Sequence, residues 1–281
     1  MGRDRGTIAV IGGHGKTGRA VIGGLKRLDQ ESVAVGRAQL ADPGAALSEA
    51  AAIYLIAPNM CADEPGFVDT WLSAAAEAGV ERVVYHSVAA PYAPQMPHHL
   101  HKAMSEDLVR RSGLDWTILQ PCAYAENLLP GLREPQPQIR IAYSPDTPFG
   151  LIGLDDVGAI AARVLLESGH TGASYELGGP ELVTVRQVAR IAEAALGRPV
   201  DLRVESVDDW AAGPGAGLEA RERDWLAAMF AYYDAHGLPV GGRVAQMLLG
   251  RRPESMERLL RRALVPEAEA ADQGGRRERD S

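Results

Sequence analysis

Short β-branched runs alternate with stretches of helical periodicity along most of the chain. Residues 7–11 carry Ile8, Val10 and Ile11 and read as a buried strand. After a glycine cluster, Ala20, Val21, Gly24, Leu25 and Leu28 recur at helical spacing, with Arg19, Lys26 and Arg27 off that face. Residues 32–36 predict a second buried strand and residues 51–57 a third. A helix is expected over 65–79, with Val68, Trp71, Leu72 and Ala75 inward and Gly79 closing it. Residues 82–88 then read as a strand ending on Ser87. Pro97 opens a helix that ends near Gly113, and Leu100, Ala103, Met104 and Leu108 make its predicted core face. A strand over 116–119 runs into Gln120 and Pro121. This alternation predicts an α/β fold built on a doubly wound parallel sheet of the Rossmann kind.

The later chain is less regular. The Pro- and Gly-rich stretch 130–150 offers no clear element. A helix over 155–168 starts on Asp155-Asp156, a strand covers 174–177, and a capped helix starts from Thr184. A short strand at 200–204 and helices over 219–236, 241–249 and 253–264 follow. The expected division is a sheet domain at 1–178, a smaller and mainly helical region at 179–265, and a disordered polar tail at 266–281.

The glycines at 12, 15 and 18 change the picture from fold to chemistry. Their G-x-x-G-x-x-G spacing after a strand suits a tight turn that presents the backbone N–H groups of a helix N-terminus to a diphosphate. Gly15-Lys16-Thr17 also looks like the end of a P-loop. That loop needs a glycine five residues before Gly15, and Val10 stands there instead. In such units the residue closing the second strand reads the ribose. A carboxylate there bonds a 2′-hydroxyl, but this chain has Gly36-Arg37. An arginine guanidinium forks onto a 2′-phosphate, so the pattern favours NADP over NAD. Ala57, Pro58 and Asn59 close the third strand, and Ser87 closes the fourth, at the edge where open α/β sheets bind ligands.

Composition narrows the partners. The chain has 281 residues, 46% of them apolar, and a net charge of −8. The apolar content is enough for a full core, and the acidic balance argues against a nucleic-acid face. Cys61 and Cys122 lack metal or disulfide-framework spacing. No apolar run is long enough to span a bilayer and no leader pattern opens the chain, so a cytoplasmic protein is expected. Lysine occurs only at 16, 26 and 102. Lys102 shares a helix flank with His98 and Ser105. His98, His99 and His101 lack a further metal ligand, so no metal is expected.

Together these stretches resemble the NmrA-like group of atypical short-chain dehydrogenases/reductases. The resemblance is carried by Val10–Gly18, Ala57-Pro58, His101-Lys102 with Glu106, Ser112–Pro121 with Glu126-Asn127, Asp155–Gly158, and Tyr175–Pro180. It implies a Rossmann domain holding NADP or NAD against Gly12, His14, Gly15, Lys16, Thr17 and Gly18. It further implies a nicotinamide near Pro121, Lys102 on the ribose hydroxyls, and Ser87 beside a substrate carbonyl. Asp42 matches the carboxylate that relatives bring near the adenine. Related short-chain dehydrogenases use Tyr-x-x-x-Lys, and here His98 stands at the tyrosine position. His98 is therefore a candidate proton donor, with Tyr92, Tyr124 and His101 as others. The implied activity is reduction of a small apolar or aromatic carbonyl, quinone or imine by NADPH. A non-enzymatic redox-sensing regulator and a non-redox isomerase that keeps its nicotinamide stand as alternatives. Part of a stripe formed by Trp225, Met229, Tyr232 and Tyr233 is expected to line the substrate pocket, the rest to pack in the core. Homodimers are common in the superfamily.

Overall fold

The computed structural model describes residues 6–265. Strands β1 (Thr7–Ile11), β2 (Ser32–Val35), β3 (Ala50–Leu55), β4 (Arg82–His86) and β5 (Asp115–Pro121) alternate with helices α1 (Lys16–Lys26), α2 (Pro43–Leu47), α3 (Glu64–Glu77) and α4 (Pro97–Arg111). A short helix α5 (Leu129–Leu132), strand β6 (Gln138–Ile141), helix α6 (Leu154–Leu166) and strand β7 (Ala173–Leu177) come next. Then follow α7 (Val185–Leu196), β8 (Asp201–Val204), α8 (Val207–Ala212), α9 (Ala220–His236), α10 (Arg243–Leu249) and α11 (Met256–Leu264).

The main sheet has six parallel strands in the order β2-β1-β3-β4-β5-β7. The order reverses between β1 and β3, where Ile11 lies opposite Leu55. Such a switch point opens a crevice at the carboxyl ends of the strands. Alternation along the strands supplies both faces of the core. Ile8, Val10, Tyr54 and Val84 face α1 and α6, while Ala9, Ile53, Val83 and Tyr85 face α3 and α4.

Helices α1 and α6 pack without side chains between them at one point. A Cβ on Gly24 would lie 2.2 Å from the Gly158 carbonyl oxygen, and one on Gly158 would lie 2.2 Å from that of Ala20. Only glycine at both places permits this approach. Asp156 at the start of α6 is buried. It accepts from Arg251 at 2.6 Å and from the Glu254 amide at 2.6 Å, which ties the chain between α10 and α11 to this helix.

Several local expectations need correction. Strand β2 is an edge strand, not a buried one, and Val33 is 44% exposed. Leu28 lies beyond the end of α1 and is also exposed. The 130–150 stretch contains α5 and β6, and β6 pairs in parallel with β8, Ile139 opposite Leu202. Helix α4 is turned about its axis from its predicted face. Met104 is 56% exposed, while His98, His99, Lys102, Ser105, Glu106 and Val109 are buried. Polar groups occupy the inward face because each of several finds a partner inside, as the site shows. The tail from 266 lies outside the described residues.

Candidate functional site

A cavity of about 940 Å³ runs along the carboxyl edge of the sheet, from the glycine turn to α9. Its first wall is that turn. Gly12 takes φ +77°, and a Cβ on Gly18 would sit 2.4 Å from the Gly12 carbonyl oxygen. The turn can close this tightly only without side chains at these positions. Gly15 caps α1 without a side-chain hydrogen bond, and no acidic residue occupies the first turn. The positive end of α1 is thus left open to an anion, with Lys16 beside it. Lys16 donates to Asn127, and burial lowers its pKa. Arg37, exposed just beyond β2, lines the same end of the cavity. Asp42, expected near an adenine, instead caps α2 by accepting from the Ala45 amide at 3.0 Å.

The middle of the cavity is built by β3, β4, β5 and α4. Lys102 Nζ pairs with Glu64 Oε1 at 2.7 Å and donates to the His86 carbonyl at 3.1 Å. An ammonium has three protons, so one is left for the cavity that Lys102 lines. Tyr85 Oη donates to the same Glu64 oxygen at 2.6 Å. Ser87 lines the cavity, but its hydroxyl donates to Glu106 Oε1 at 2.6 Å. Glu106, fully buried, also accepts from Gln120 at 2.7 Å and pairs with Arg110 at 3.0 Å. The single Ser87 proton is therefore committed, and toward a ligand this side chain offers only lone pairs.

The proton-donor candidates separate clearly. His98 lines the cavity, but burial and the nearby Lys102 charge push its pKa down to about 3. At neutral pH it lacks the extra proton that the expectation asked of it. His101 lies outside the lining, its ring 4.7 Å from that of Trp225. Tyr92 is 61% exposed and donates to Glu106 at 3.3 Å. Tyr124 is the candidate that the structure brings into the cavity as a neutral phenol. Burial raises its pKa, and its Oη lies 2.6 Å from His86 Nε2 and 3.4 Å from Thr17 Oγ1. His86, buried at the end of β4, reaches Tyr54 Oη through its other nitrogen at 2.7 Å.

Leu226, Met229 and Tyr233 of α9 close the far end with apolar surface. Trp225 instead packs against the rings of His98 and His101, and Tyr232 against His236. Among the described residues no group of three or more His, Cys, Asp or Glu is arranged to hold a metal, and no helix is long and apolar enough to cross a membrane.

Sequence reading missed Glu64, His86, Tyr54 and the burial of Glu106. Glu64 follows the N-cap Asp63 and precedes a proline, which reads as an ordinary first-turn carboxylate on a surface helix. Tyr54 and His86 sit inside apolar strand patterns, where an aromatic ring is expected as core.

A parallel sheet with a glycine turn at its switch point and one elongated cavity beside it defines a dinucleotide-binding Rossmann protein. A model of the NmrA-like family matches residues 24–238, and the chain belongs to that family. It is 33% identical over 141 residues to a (4-alkanoyl-5-oxo-2,5-dihydrofuran-3-yl)methyl phosphate reductase of Streptomyces griseus, covering 48% of this chain and 49% of that protein. The chain thus matches about half the length of that relative. It is 27% identical over 217 residues to an NAD(P)H azoreductase of Xenophilus azovorans, covering 69% of this chain and 75% of that one. Among solved structures, an NADPH-dependent quinone oxidoreductase of Escherichia coli complexed with NADPH superposes with a TM-score of 0.78 at 25% identity. That match covers 90% of this chain and 98% of the other.

Proposed function

We propose that the protein is an NADP(H)-dependent oxidoreductase that reduces a small apolar or aromatic substrate bearing a carbonyl, quinone or imine group. The observation that carries this reading is the continuity of the cavity. One end offers an uncapped helix N-terminus with Lys16 and Arg37, and the other is apolar, with Tyr124 and Lys102 between them. The kinship with reductases of quinones and azo compounds supports the same reading.

The glycine turn fits a dinucleotide diphosphate, since side chains at Gly12 and Gly18 would fill the close turn. The amides of the first turn of α1 and Lys16 hold the diphosphate, and Arg37 takes the 2′-phosphate. Ala57, Pro58 and Asn59 form the wall after β3, and Pro121 the wall after β5. Lys102, held in place by Glu64 and the His86 carbonyl, would donate a hydrogen bond from its remaining N–H to the ribose hydroxyls. Bound NADPH supplies the hydride. Tyr124 hydrogen-bonds the substrate oxygen or nitrogen on which negative charge develops. Leu226, Met229 and Tyr233 exclude water and select apolar substrates. These residues lie in the mainly helical region at 179–265, which on this reading sets substrate choice.

The test is NADPH consumption by the purified protein against a panel of quinones, enones and imines. Turnover of at least one class is expected. Tight NADPH binding with no turnover across the panel would replace this reading with that of a dinucleotide-sensing regulator.

A further inference from the structure

Tyr54, His86 and Tyr124 come from three neighbouring strand ends and form one hydrogen-bonded row. Tyr54 Oη is 2.7 Å from His86 Nδ1, and His86 Nε2 is 2.6 Å from Tyr124 Oη. The row can point in two directions with identical heavy-atom distances. A neutral imidazole has one N–H and one lone pair, so exactly one of the two tyrosines donates to it. His86 is neutral, because burial and the neighbouring Lys102 charge hold its pKa down to about 3.

The far end of the row decides its direction. Tyr54 is fully buried, and among the described residues its hydroxyl has His86 Nδ1 as its one hydrogen-bond partner. Were the imidazole proton on Nδ1, the Tyr54 proton would be buried without an acceptor, an arrangement that native interiors avoid. With Tyr54 donating, Nδ1 accepts, and Nε2 carries the proton and donates to Tyr124 Oη. The Tyr124 proton is then not needed behind it. It is left for the cavity that Tyr124 lines, since the Thr17 hydroxyl, 3.4 Å away, donates to Tyr124 Oη. In the opposite direction Tyr124 would donate inward and meet a ligand with lone pairs only.

We propose that Tyr54, which does not line the cavity, sets the direction of this row. Tyr124 then meets ligands as a fixed hydrogen-bond donor, and the site selects molecules that place an acceptor oxygen or nitrogen there. Tyr54 and His86 are positioning residues, and Tyr124 touches the ligand. The choice of carbonyl ligands rests on the function proposed above, whereas the direction of the row does not.

The experiment is long-range ¹H–¹⁵N correlation of the histidine side chains in the full chain, with His86 identified by its loss in a His86→Asn variant. The wild type is expected to show His86 protonated on Nε2. Tyr124→Phe should keep that tautomer, because Tyr54 still fixes it, and Tyr54→Phe should lose it. An Nδ1–H tautomer in the wild type, or an unchanged spectrum in Tyr54→Phe, would overturn the proposal. Should Tyr54→Phe fail to fold, the wild-type and Tyr124→Phe spectra decide alone. A second arm titrates acetophenone and its isostere α-methylstyrene, which replaces the carbonyl oxygen by a methylene group, with NADPH present. The wild type should favour acetophenone by about fivefold, the worth of one hydrogen bond, and Tyr124→Phe should abolish the preference. Equal affinities in the wild type would count against Tyr124 as a donor. Failure of both probes to bind would sink the carbonyl-substrate reading, leaving the tautomer to judge the row.

Discussion

Glu64 Oε1 lies 2.7 Å from Lys102 Nζ, and both side chains are buried. The pair joins the start of α3 to the middle of α4 beneath the cavity. Removing one partner strands the other charge in a poorly solvated place. Glu64→Ala should therefore cost about 3–5 kcal/mol of stability, whereas the double variant Glu64→Leu/Lys102→Met should recover most of it. Urea unfolding measures both, and a loss under about 1 kcal/mol for the single variant would show a pair already solvated.

Arg37 is exposed and makes no ion pair among the described residues, so reversing its charge should leave the fold intact. Arg37→Glu should weaken NADPH by about tenfold or more, the scale of one charge-assisted hydrogen bond, and NADH by much less. Fluorescence titration of both nucleotides checks it. Equal losses would remove the 2′-phosphate from the role of Arg37.

Tyr124→Phe deletes one oxygen from the cavity wall. On the best substrate of the panel it should lower kcat by about a hundredfold, the lower range for removing one donor to a developing negative charge, with NADPH affinity retained. Lys102→Ala should lower both kcat and NADPH affinity if Lys102 holds the nucleotide as proposed, since it also lines the cavity. A Tyr124→Phe variant with wild-type kcat would exclude Tyr124 from the reaction.

Three buried histidines should make the fold acid-sensitive. Burial holds His86 and His98 down to about 3 and His99 to about 4, all below the ordinary value of 6.5. The unfolded chain therefore binds protons before the folded one does, and stability falls as pH drops below 6.5 toward 4. At pH 5 each histidine should have removed about 2 kcal/mol relative to pH 8. Denaturant midpoints at the two pH values check this, and a flat profile would show that the imidazoles protonate within the folded protein.

The alternation of strands and helices was legible because each βαβ unit repeats one apolar pattern, and the glycine turn was legible because its backbone geometry excludes other residues. Strand β6 was not. Gln138–Ile141 alternates as a strand should, but it is four residues long and its partner β8 lies far along the chain. Helix α4 misled for a different reason. Apolar periodicity assumes that inward positions are greasy, and here Lys102 faces Glu64 while Glu106 faces Ser87 and Gln120. A helix whose buried side is polar signals a site, and only the partners from other elements reveal which side that is. The row from Tyr54 to Tyr124 was equally hidden, since a tyrosine in a strand reads as core whether or not its hydroxyl has work to do.

The contact between Gly24 and Gly158 bears on how the turn at Gly12–Gly18 can move. A layer of side chains absorbs a small displacement by changing rotamers, but two backbones in contact have no such cushion. Helix α1, whose first turn faces the cavity, therefore shifts with α6 as one body. Through Asp156, Arg251 and Glu254 the segment before α11 is coupled to the same body. The stiffness of the turn is thus set from behind, by a helix and a segment before α11 that do not line the cavity.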